Sequence, residues 1–109
     1  MNLGVWMSRP VWQHKRQAPG RNQAWNVPQL PDGFPPATQG VRLYVAMRRR
    51  WRGYFHVHAF QWTPADRACP FALIFKPDSW TPIDPVSAPP RDPRGYTLDV
   101  PSSMPQPVK

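Results

Sequence analysis

Glutamate is absent from this chain of 109 residues, lysine occurs three times, and cysteine once, at Cys69. Each shortage excludes something. One cysteine cannot build an intramolecular disulfide framework, and it suits a reducing compartment. Without glutamate the acids are Asp32, Asp66, Asp78, Asp84, Asp92 and Asp99, so cationic side chains have few partners and long helices are not expected. No apolar run approaches the ~20 residues needed to cross a bilayer. The first twenty residues include Arg9, Pro10, His14, Lys15 and Arg16 and lack the apolar core of a secretory signal. One small cytoplasmic domain is the expectation, with no membrane partner and no cofactor.

What is abundant is proline, at 17 residues, and arginine, which supplies 11 of the 14 cations behind a net charge of +8. Arginine's planar fork suits phosphate, carboxylate and aromatic stacking better than lysine's ammonium does. A polyanion or an acidic protein surface is therefore the implied partner. A codon bias toward arginine and proline would explain the totals equally well, but it explains the clustering less well.

Along the chain, residues 1–40 hold Trp6, Trp12 and Trp25 between prolines too frequent for a long helix. At most a short strand and one helical turn are expected there. Leaving three tryptophans in water would forfeit about 1.5 to 3 kcal/mol for each large apolar side chain, so this arm should pack on the domain. Pro31-Asp32-Gly33 signals a turn. Val41, Leu43, Val45 and Met47 alternate with Arg42, Tyr44 and Ala46 as one arm of a hairpin that reverses at Arg48 to Arg50. Its other arm sets Phe55, Val57 and Ala59 on one face and Tyr54, His56, His58, Phe60 and Trp62 on the other.

Thr63 to Asp66 reads as a capped helical turn, and Phe71 to Phe75 as a buried strand between Pro70 and Pro77. Trp80 to Ile83 adds a short β segment, Asp84 to Pro93 an irregular connection and Gly95 to Val100 a last strand, before a dispensable Pro-rich tail from Pro101 to Lys109. The fold class is mostly β (α+β). Short strands with hairpin connections predict a small, partly closed barrel with one or two short helices, spanning residues 1–100.

Trp25, then Gly40-Val41-Arg42-Leu43-Tyr44-Val45, then Trp51-Arg52-Gly53-Tyr54-Phe55-His56-Val57 follow an order that resembles the PUA-like superfamily, which includes the PUA, ASCH and EVE domains. The resemblance spans about residues 22 to 100. It implies a small β-barrel that binds nucleic acid, often by holding a modified or flipped base between aromatic side chains.

Arg48, Arg49, Arg50 and Arg52, with Arg42 nearby, form the densest cationic segment, and Trp25, Trp51 and Tyr54 are the aromatic side chains expected to stack on a base. A solvated hairpin tip with Trp51 packed inside is the plainer alternative. Trp12, Trp25, Trp62 and Trp80 could form an aromatic cage, although core packing is the commoner role of tryptophan in a small domain. His56 and His58 share a strand face, but with one cysteine and no glutamate they lack the partners of a metal site. Lys76 and Asp78 flank Pro77 in a turn, which is a poor place for general acid–base chemistry, so no enzyme is expected. The expected function is non-catalytic nucleic-acid binding, to RNA or DNA. The alternative is a small mobile-element or phage accessory protein that binds and inhibits a partner protein, since arginine and aromatic residues also dominate protein interfaces.

Overall fold

The computed structural model describes residues 2–17, 23–29, 41–62 and 68–100. The expected turn at 31–33, the helical turn at 63–66 and the tail at 101–109 lie outside the described residues. The elements in chain order are β1 (Asn2–Trp6), α1 (Arg9–Arg16), β2 (Gln23–Val27), β3 (Val41–Met47), β4 (Arg50–Trp62), β5 (Phe71–Phe75), a 3-10 turn (Pro77–Ser79) and β6 (Thr81–Ser87). Among the described residues no helix is long and apolar enough to cross a membrane.

The hairpin of β3 and β4 is the centre of the molecule, as its alternation predicts. Met47 pairs with Arg50, so the reversal consists of Arg48 and Arg49 alone. Both have positive φ, 53° and 61°, the two-residue turn whose twist matches antiparallel strands. β4 is 13 residues long, and its free edge serves two neighbours: β6 along Arg50 to Tyr54 and β5 along Val57 to Trp62. β1 lies parallel to β3 on the other side, and β2 pairs with β5, giving a six-stranded sheet ordered β1-β3-β4-β5-β2 with β6 beside β4.

Several expectations are corrected here. The sheet is open: among the described residues β1 and β2 end the path and do not pair, so the expected partial closure into a barrel is not formed. The described part of the first forty residues holds two strands and a two-turn helix, where one strand and one turn are expected. The helix survives its proline because Pro10 sits in the first turn, where its missing N–H costs nothing, and the Ser8 hydroxyl caps it by accepting from the Val11 N–H at 3.4 Å. β6 runs on to Ser87, past Pro82 and Pro85, which is tolerated because it pairs with β4 along one edge only and with interruptions. The expected last strand is reduced to one bridge, in which Thr97 and Gly4 exchange both backbone hydrogen bonds at 2.8 Å.

Both faces of the central strands are covered. Leu3, Val5, Val41, Leu43, Val45, Phe55, Val57, Leu73 and Phe75 fill the main core. Tyr44, Ala46, Trp51, Tyr54 and Ile83 form a second cluster, against which Trp6, Val86 and Val100 pack. Two bulges decide which aromatic goes where. The pairing shifts between Trp51 and Gly53, so Ala46 faces Trp51 and Arg52 is the extra residue. A second shift between Val57 and Ala59 turns Phe60 toward the main core, opposite to its expected face. One inserted residue inverts every later side chain, and nothing in the local alternation announces it.

Candidate anion-binding site

The sheet end that carries the arginine turn also receives the end of β1 and one side of α1, and between them lies a cavity of about 660 Å³. Four arginines line it: Arg9 and Arg16 from α1, Arg48 from the turn and Arg52 from the β4 bulge. The apolar part of the wall is Met7, Trp12, Met47, Trp80 and Pro82. Among the described lining residues there is no acid. Arg9, Trp12 and Arg16 are three and four residues apart and so share one side of the helix.

The aromatic wall continues the core. Phe75 stacks on Phe55 at 4.4 Å, Phe55 meets Trp80 at 4.9 Å, and Trp80 takes Trp12 edge-on at 5.3 Å between ring centroids. Gly53 makes room for this, because a Cβ there would overlap the Trp80 ring and the Thr81 carbonyl oxygen. The Trp12 indole N–H is buried without a hydrogen-bond partner among the described residues.

Two of the four guanidinium groups are held in place. Arg16 lies 4.8 Å over the Trp12 ring, a cation–π contact. Arg52 donates from Nε to the Met47 carbonyl oxygen at 3.3 Å, which leaves its two terminal nitrogens free of that contact. Lys15, on the same helix, donates to the Ala24 carbonyl oxygen at 2.7 Å, and burial lowers its pKa from the ordinary lysine value. The ion pair formed by described residues, Arg94 with Asp92 at 3.1 Å, lies elsewhere on the surface. None of the cavity arginines has an acidic partner among the described residues.

Of the residues expected from sequence, Arg48 and Arg52 line the cavity, while Arg49 and Arg50 are exposed beside it at the tip. Arg42 is not part of this group. It sits six residues before the turn, about 20 Å along the strand, with its guanidinium 4.7 Å over the Tyr54 ring. A hydrogen bond to Tyr44 is the main cause that raises its pKa.

The expected stacking residues are corrected. Trp51 is 0 % exposed, packed against Trp6 and Tyr44 at 6.3 and 6.4 Å, because the Arg52 bulge turns it into the second cluster. Tyr54 is 4 % exposed and covered by Tyr44 and Arg42. Trp25 is half-buried on β2 opposite Leu73, whose β4 neighbour Phe60 is ten residues beyond Arg50, about 30 Å along the strand. Trp51 and Tyr54 are too deeply buried to stack on a base, and Trp25 is not among the cavity's lining residues.

Trp62, 57 % exposed against Phe71, stands at that same far end. Trp12 and Trp80, weighed in sequence only as cage members, are the aromatics that meet the arginines. Arg9 and Arg16 were missed, and their spacing around Trp12 is the signal that finds them once a helix is allowed. Among the described residues no three His, Cys or acidic side chains converge on a point. No protein-family model, curated protein or solved structure matches this chain.

Proposed function

We propose that this protein is a non-catalytic binding domain for single-stranded nucleic acid, with the cavity and the adjoining arginine turn as its binding surface. The observation that carries the reading is the meeting of four acid-free guanidinium groups with the Trp12–Trp80 wall in one cavity. Guanidinium groups neutralise phosphates and release counterions, while aromatic side chains stack on bases without regard to sequence at about 1 to 3 kcal/mol per base. A duplex keeps its bases stacked within the helix, so a site that offers aromatic contact beside cations favours a single strand. From the resemblance to PUA-like domains only the ligand class is carried forward, because the barrel that would hold their base pocket is not formed by the described strands.

Titration of a labelled single strand at several salt concentrations tests this. With three or four phosphates engaged, log K should fall against log salt with a slope of roughly −2 to −3. Replacing Arg48, Arg49 and Arg50 together with serine should flatten that slope and leave the circular-dichroism spectrum unchanged. An unaltered affinity and slope would remove the turn from the site. Absence of binding to any nucleic acid at low salt would move the assignment to an acidic protein partner.

A further inference from the structure

We infer, resting on the nucleic-acid reading above, that the cavity takes a nucleotide bearing a phosphomonoester, so that the protein distinguishes a phosphorylated strand end from a hydroxyl end. The charge balance points there. A backbone diester carries a single negative charge and meets exposed arginines such as Arg49 and Arg50 one at a time. Inside the cavity Arg9, Arg16, Arg48 and Arg52 share one hollow with no acid among its described lining residues. Four cations around one hollow favour a ligand that concentrates charge on a single group, and a phosphomonoester carries about −1.5 to −2 at neutral pH with three acceptor oxygens.

The geometry agrees with the charge. Arg52 is tethered through Nε, so its two terminal nitrogens form a fork, the arrangement that grips a phosphate with two parallel hydrogen bonds. Arg16 is fixed over Trp12, which places a cation beside an apolar wall able to accept a base or sugar. A volume of about 660 Å³ falls in the range of sites that enclose a small ligand. α1, the end of β1, the turn and the Trp80–Pro82 segment all contribute to the lining, so groups from four parts of the chain meet a single ligand there.

Three otherwise identical single strands, carrying a 5′-phosphate, a 3′-phosphate or hydroxyls at both ends, test the inference, with a nucleoside monophosphate as competitor. One phosphorylated strand should bind at least about tenfold tighter than the hydroxyl strand, since hydrogen bonds to charged groups are worth more than about 1.4 kcal/mol, a factor of ten. Arg16→Gln and Arg52→Gln should each reduce that preference, read as the ratio of the affinities for the phosphorylated and the hydroxyl strand, so that a general loss of binding is divided out. Competition by the free nucleotide at a comparable concentration would keep the phosphomonoester site and assign it to a free nucleotide rather than a strand end. Equal affinity for all three strands with no competition would overturn the inference and leave the nucleic-acid reading standing, as would a preference that both variants retain. Failure of every strand to bind at low salt would overturn both.

Discussion

At the scale of single residues, Gly4 is a tightly constrained position. It lies on β1 between two partners: its backbone exchanges hydrogen bonds with Thr97, and its missing side chain is occupied by the tip of the Trp51 ring. A Cβ at Gly4 would overlap that ring, with the Thr97 methyl beside it. Trp51 has nowhere to retreat, since Trp6 and Tyr44 pack against it and it is fully buried. Gly4→Ala is therefore an overpacking change, costing about 1 to 3 kcal/mol. Thermal unfolding should show Tm lower by at least about 4 °C; an unchanged Tm would mean that the second cluster yields more easily than its packing indicates. Trp51 also shows why composition misleads at this scale. Beside four arginines a tryptophan looks like a stacking platform, yet its surroundings are set by one bulge residue two strands away from Gly4.

The element that links the fold to the cavity is the β3–β4 hairpin, whose turn is built from the wrong residues for its shape. Positive φ at two successive positions favours Asn-Gly, and left-handed backbone costs a residue with a Cβ about 1 to 2 kcal/mol. Arg48 and Arg49 occupy both positions. Strain of this kind is retained where the side chains serve something other than folding, and here they carry charge to the rim of the cavity. The double variant Arg48→Asn/Arg49→Gly should raise Tm by about 4 to 8 °C, a gain of about 1 kcal/mol, while weakening salt-dependent binding of a single strand. A variant both no more stable and equally tight would show that the turn is neither strained nor functional.

The hairpin was legible in sequence because alternation on both arms and the reversal at Arg49 are local signals. The fate of Trp51, Tyr54 and Phe60 was not, since it depends on bulges and on which strand covers each face. α1 was hidden by Pro10, a residue that excludes a helix interior but not a first turn. Without that helix Arg9, Trp12 and Arg16 have no common side, so half of the cavity lining is not legible in the sequence.

At the scale of the whole molecule, the open sheet is stabilised at one edge by the last described segment, far in sequence from the strand that it covers. After β6 the chain turns at Asp92 to Gly95, where Gly95 has φ of 81° and donates to the Asp92 carbonyl oxygen at 2.9 Å. Arg94 is paired with Asp92 and lies 5.3 Å over the Tyr96 ring. Tyr96 is then buried in the main core, Thr97 bridges to Gly4, and Val100 packs against the second cluster. This segment protects the outer edge of β1 from pairing with another chain, and β1 in turn leads through Met7 to the cavity wall. The residues that cover this edge are thus different from those that line the cavity. Tyr96→Ala removes a buried ring from the core and should cost about 3 kcal/mol or more, read as a lower urea midpoint with an unchanged m-value. Tyr96 lines no part of the cavity, so the same variant, held well below its Tm, should bind a single strand with the wild-type salt slope. A slope that changed with Tyr96→Ala would mean that the β1 edge sets the position of Met7 and α1, and that the arginines are arranged by the closing segment as much as by the hairpin.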